Sequence, residues 1–123
     1  MPLPSALDGL RVLECAGWNG VYAGRLLADA GADVVRVVPA AGDPFDDEPP
    51  FMGDTGVSVQ AAWYNAGKRI VVLDLHSPET RVSFDGLAAA ADILIEDWPP
   101  GSEPYSGPQL AALNPHLVRV SVT

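Results

Sequence analysis

The stretch Leu10-Arg11-Val12-Leu13-Glu14-Cys15-Ala16-Gly17-Trp18-Asn19-Gly20, taken with Asp33-Val34-Val35-Arg36-Val37-Val38, decides the fold. Leu10 to Cys15 is a short, mostly apolar run closed by a Gly-rich turn, which reads as a buried strand. Between the two stretches Ala23, Leu26, Leu27 and Ala30 recur at i, i+3, i+4 and i+7, the spacing of one helix face. Asn19 is the expected N-cap and Gly31 the expected C-terminal stop. The second stretch is Val-rich and continuous, as a strand buried on both faces should be. Strand, helix and strand in about 30 residues make a βαβ unit, so the two strands should lie parallel with a right-handed crossover.

The same alternation continues along the chain. Arg69 to Leu75 reads as a third strand, Asp92 to Glu96 as a fourth and Leu117 to Val122 as a fifth. Ser77-Pro78-Glu79 is a helix start, with Ser as N-cap, Pro at the first position and an acid in the first turn. Phe84, Leu87, Ala88 and Ala91 are the expected buried face of that helix. Ser58 to Tyr64 and the segment opened by Gly107-Pro108 are expected short helices, the latter closed by Asn114-Pro115. Residues 39–57 carry prolines, glycines and the acids Asp43, Asp46, Asp47 and Glu48, which suggests a long, solvated, mobile loop. The predicted class is α/β: a Rossmann-like open, mainly parallel sheet flanked by helices.

Composition bounds the function. The chain has 123 residues, enough for one domain, and 48% are apolar, which suits a packed core. Seven basic against sixteen acidic residues give a net charge of −9, the wrong sign for general nucleic-acid binding. No apolar run approaches the roughly 20 residues of a membrane span, and no basic-then-apolar leader opens the sequence. A soluble cytoplasmic protein is the expectation. The single cysteine, Cys15, has no internal disulfide partner and reads as a small buried strand residue. The acids near Asp46 have no neighbouring His and no calcium-loop spacing, so no metal is expected there. The spacing Gly17-x-x-Gly20-x-x-x-Gly24 is not the dinucleotide fingerprint, and the second strand ends in Val38 rather than an acid.

Seven phrases in order carry a family resemblance. They are Leu7-Asp8-Gly9-Leu10-Arg11-Val12-Leu13, Ala23-Gly24-Arg25-Leu26-Leu27-Ala28-Asp29-Ala30-Gly31-Ala32-Asp33-Val34, Gly42-Asp43-Pro44, Asn65-Ala66-Gly67-Lys68-Arg69, Leu73-Asp74-Leu75-His76-Ser77-Pro78-Glu79, Ala91-Asp92-Ile93-Leu94-Ile95-Glu96-Asp97-Trp98, and Leu113-Asn114-Pro115-His116-Leu117-Val118. In this order the chain resembles the family III coenzyme A transferases, which include formyl-CoA and carnitine-type CoA transferases and the alpha-methylacyl-CoA racemases. The resemblance implies that residues 1–123 are the N-terminal portion of a CoA-binding α/β domain. It implies coenzyme A as the ligand and acyl-CoA and a carboxylic acid as substrates, with an interlocked homodimer and no metal. A sister reading is an acyl-CoA racemase; another is a non-catalytic CoA-binding subunit that needs a partner chain. The nucleophilic aspartate of the family lies beyond the matched phrases, so no catalytic residue is expected here. A chain that stops in a buried-strand pattern, at Val120-Ser121-Val122-Thr123, is itself expected to be part of something longer.

The resemblance also nominates binding residues. Gly67, Lys68 and Arg69 stand in the phrase that lines the family's CoA groove, and Trp18, Asn19 and Gly20 in the part near the bound thioester. Glu96 and Asp97 follow the fourth strand and are candidates for shaping the groove. Asp74 reads as the acid of a local turn, and His76 and His116 as surface residues. The chain departs from the family pattern at one short stretch and three single positions. Asn19-Gly20-Val21-Tyr22 replaces Ala-Gly-Pro, Val38 replaces Glu, and Ala66 and Pro99 stand where Arg, or Arg or Gly, is usual.

Overall fold

A computed structural model describes residues 3–123. Five strands, β1 (Arg11–Cys15), β2 (Asp33–Val38), β3 (Arg69–Val72), β4 (Ile93–Glu96) and β5 (Val118–Ser121), form one sheet in the order β3-β2-β1-β4-β5. Every pairing is parallel, with Glu14 opposite Arg36 across β1 and β2 and Cys15 opposite Glu96 across β1 and β4. The predicted open parallel sheet is present. All strands but β2 are somewhat shorter than the sequence suggests, β3 most of all, although Leu73 and Leu75 stay buried beyond its end.

The two sheet faces follow the strand period of two. One face presents Val12, Ala16, Val34 and Ile95 to the first helix, α1 (Val21–Asp29), through Leu27 and Ala28. The other presents Leu13, Cys15, Val37 and Leu94 to α3 (Pro78–Ala90) and α4 (Gly107–Leu113), where Phe84, Ala88, Tyr105 and Leu110 close the core. The short helix α2 (Val59–Tyr64) packs beside α1, and Val21, Phe45 and Ala61 are buried between them. The hydroxyl of Ser58 caps α2 by accepting from the Ala61 N–H, and Ser106 with Gln109 forms a capping box on α4.

Two local expectations are corrected. The N-cap of α1 is Gly20, without a side-chain cap, and Asn19 is exposed in the turn before it. The buried stripe of α1 is Val21 and Gly24 with Leu27 and Ala28, whereas Leu26 is half exposed. The helix is rotated because Gly24, the residue with no side chain, is the one that lies closest to the sheet. Gly31 follows α1 at φ +105°, a conformation that favours glycine, as the expected stop requires.

Candidate functional site

In open parallel sheets the ligand crevice opens at the carboxyl ends of the strands, where the chain order reverses. Here β1 is followed outward by β2 on one side and by β4 on the other, so the reversal falls between β1 and β4. A crevice of about 280 Å³ opens at that end of the sheet. The turn after β1 (Ala16, Gly17), the ends of β2 and β3 (Val37, Leu73) and the turn after β4 (Asp97, Trp98) form its walls, and Ala40, Pro44, Asp74 and His76 stand at its rim. The lining is mainly apolar with a few convergent polar groups, the usual character of a small-molecule site.

Each polar group has a definite task. Asp97 Oδ2 accepts the Gly17 N–H at 2.8 Å and so ties the β1 turn to the β4 turn across the reversal. Asp74 Oδ1 accepts the His76 N–H at 3.0 Å, the local turn expected from sequence. Glu96 is fully buried, accepting from Arg119 at 2.9 Å and from the Trp98 N–H at 2.8 Å, and it braces the turn that carries Trp98. Burial first, then the nearby charges of Glu14 and Glu96, pushes the Cys15 thiol far above its ordinary value, so it stays a thiol in the crevice wall. His76 and His116 are both exposed.

Under α1 lies a charge cluster that strand patterning alone does not reveal. Arg36 donates to Glu14 Oε2 and to the Ala16 carbonyl, each at 2.5 Å, and forks onto Asp43 through Nε and Nη2, each at 3.0 Å. Lys68 Nζ donates to Glu14 Oε1 at 2.7 Å and to the Val21 carbonyl at 2.9 Å. Asp43 also accepts from the Phe45 N–H and from Asn65 Nδ2. All four charged side chains are buried, two cations against two anions, which is the condition under which buried charge is tolerated. Gly24 permits the arrangement: a Cβ there would lie 1.6 Å from Glu14 Oε1 and 3.2 Å from Lys68 Cε.

The loop 39–57 is therefore anchored at its start, contrary to the solvated reading of its acids: Asp43 is buried, while Asp46 and Asp47 are exposed. Burial pushes the Asp43 carboxyl up, but hydrogen bonds from Arg36, Phe45 and Asn65 and the guanidinium charge together hold it below its ordinary value of 3.8. A depressed folded value means that the unfolded chain binds the proton more readily. The stabilisation is complete above pH 3.8 and is lost as pH falls through the folded value. In acid unfolding titrations, Asp43→Asn is expected to flatten the loss of stability below pH 3.8; coincident slopes would show that Asp43 carries none of it.

Trp18, Asn19 and Gly20 continue the crevice turn from Gly17 to the start of α1. Trp18 is half exposed and packs edge-on against Phe45 with ring centroids 4.4 Å apart. Lys68 reaches the same end of α1 from below, but its ammonium is enclosed by Glu14 and the Val21 carbonyl, and burial lowers its pKa against the opposing pull of Glu14. Gly67 lies in an exposed turn at φ +77°, nearest to Ala28. Arg69 begins β3, so it sits at the amino edge of the sheet, where it is 70% exposed and paired with Asp33 at 2.6 Å. Arg69 thus stands at the end of the sheet opposite the crevice, because β3 begins with it. Among the described residues no group of His, Cys, Asp and Glu is gathered as a metal set, and no helix is long and apolar enough to cross a membrane.

A five-stranded parallel sheet with helices on both faces and a crevice at its reversal point defines an open, parallel α/β protein. Comparison with known proteins narrows this further. The sequence profile described as CoA-transferase family III matches residues 7–123, and the chain belongs to that family. It is 40% identical over 79% of its length to a succinyl-CoA:mesaconate CoA-transferase of Haloarcula hispanica, of which it covers 26%. It is 39% identical over 95% of its length to a succinate–glutarate CoA-transferase of Agrobacterium fabrum, of which it covers 32%. Among solved structures, a CaiB/BaiF family protein from Brucella suis is 33% identical and superposes with a TM-score of 0.84, over 97% of this chain and 33% of that one. The chain thus spans between a quarter and a third of the length of these relatives.

Proposed function

We propose that this chain supplies the coenzyme A-binding α/β part of a transferase that moves CoA between an acyl-CoA and a free carboxylic acid. The observation that carries the reading is the crevice of about 280 Å³ at the reversal point, mostly apolar with a few polar groups at its rim. Adenine would lie against Val37, Leu73 and Trp98, with its edge toward the rim groups Asp74 and His76. Gly17 to Gly20, with Trp18 and Asn19, would then face the pantetheine and thioester end, where glycine lets the backbone approach closely. Lys68 would serve the site from beneath, by holding the Val21 carbonyl and Glu14. Arg69 and Gly67 fall outside this placement.

The nucleophilic carboxylate is assigned to residues outside these 123. Asp74 and Asp97, the acids at the crevice, accept the His76 N–H of the same turn and the Gly17 N–H of the β1 turn respectively, and are held there. Nucleophilic catalysis by a carboxylate elsewhere in the assembly would use binding energy gathered here from the remote nucleotide. An interlocked homodimer and a cytoplasmic location belong to the same reading, which needs no metal.

Ala40 is an exposed rim residue outside the core, so enlarging it should obstruct the crevice while leaving the fold intact. Calorimetric titration with CoA is expected to show saturable binding to the parent chain. For Ala40→Trp the dissociation constant should rise at least about tenfold with Tm unchanged, since one obstructed contact on the order of 1.4 kcal/mol is enough. Equal affinity in the two proteins would move the nucleotide out of this crevice.

A further inference from the structure

Arg36 hydrogen-bonds both the β1 turn and the long loop beside the crevice from inside the protein. Its guanidinium holds the Ala16 carbonyl, at the start of the β1 turn, and Asp43, at the start of the loop that carries Pro44 and Phe45. It also lies 5.4 Å from the Phe45 ring centroid, and Phe45 in turn supports Trp18. The three partners come from β1, from the turn after it and from the long loop. Nothing else links that loop to the β1 turn by hydrogen bonds among the described residues. A guanidinium suits this task because its five donors lie in a fixed fork; an ammonium is a compact point charge and cannot span three acceptors in one plane.

We propose that Arg36 is a positioning residue for coenzyme A, setting the separation of the β1 turn from the loop 40–45 so that the crevice is open before ligand arrives. The proposal rests on the reading of the crevice as the CoA site. Arg36 itself needs no contact with ligand: its donors are already committed to Glu14, Ala16 and Asp43. What it supplies is pre-organisation, which raises affinity by removing an ordering cost from the binding step.

A merely structural arginine would change stability alone, so the test separates the two. Arg36→Lys keeps the charge balance of the cluster but cannot span all three acceptors. Arg36→Met with Asp43→Asn removes one cation and one anion together, leaving Glu14 paired with Lys68. Both variants would be characterised by CoA titration well below their Tm and by amide hydrogen exchange without ligand. The expected result is a dissociation constant raised about tenfold or more in each, which corresponds to about 1.4 kcal/mol. Exchange should quicken at the Gly17, Phe45 and Asp46 amides relative to the core amides of Leu13 and Leu94. If exchange at Gly17 and Phe45 only follows the core in both variants, or if affinity stays within twofold of the parent, Arg36 does not position the crevice. If the parent chain itself binds no CoA, the ligand assignment fails, and the exchange comparison still decides whether Arg36 sets the two walls.

Discussion

Arg36→Met alone is expected to lower the stability of the chain by about 3–5 kcal/mol, the usual cost of removing one partner from a buried ion pair. Methionine keeps the unbranched apolar stem but not the guanidinium fork, so some of that loss is packing. The larger share comes from charge. Without Arg36 the cluster keeps Glu14, Asp43 and Lys68, an excess of one buried anion, and the Ala16 carbonyl loses a donor. Asp43 would retain only the Phe45 N–H and Asn65 amide and would be driven toward its protonated form. Domains of this kind are stable by only about 5–15 kcal/mol in total, so a loss on this scale should be plain in urea unfolding and as a drop in Tm. A change below about 1 kcal/mol would mean that solvent reaches the cluster and screens it, contrary to its burial. Because the neutral double variant restores balance, it should recover part of the loss, a contrast that packing defects would not give.

Gly24→Ala is the second large effect. On an ordinary helix this change gains about 1 kcal/mol from backbone entropy. Here the added methyl meets Glu14 Oε1 at 1.6 Å and the carboxyl carbon at 2.7 Å. A glutamate in solvent would swing away, but this one is fixed by Lys68 on one oxygen and Arg36 on the other. Helix α1 must lift or the ion pair must break, and overpacking of this kind costs about 1–3 kcal/mol or more even after the helix gain. Thermal unfolding should therefore show Gly24→Ala clearly destabilised, with Gly86→Ala, whose methyl meets nothing within 4 Å, as the control that gains or stays level. Equal behaviour of the two glycines would overturn the account of the α1–sheet contact.

The sheet was legible in the sequence because its strands are short apolar runs, separated by turn and helix signals. Val34, Val35, Val37 and Val38 could hardly be anything else. The rotation of α1 was not legible, since periodicity counts apolar side chains and gives Gly24 no weight, whereas the structure buries Gly24 for having none. The charge cluster left a faint trace: Glu14 and Arg36 interrupt otherwise apolar strands at matching positions, with opposite signs. Pattern reading passes over such residues as tolerated exceptions. Asp43 looked like one more loop acid because its partner is fixed only by the sheet register. Lys68 and Arg69 are adjacent in sequence yet part company in space, one beneath α1 and the other at the amino edge, because β3 begins between them.

The lock between Gly24 and the Glu14 carboxylate also constrains how such a chain can change over generations. Position 24 can accept a side chain only where position 14 is shorter, and a shorter acid at 14 would draw back from the lysine at 68. Positions 14, 24, 36, 43 and 68 should therefore vary as one inherited unit across related sequences, with a glycine at 24 accompanying a glutamate at 14 and a larger residue at 24 accompanying an aspartate or a neutral residue there.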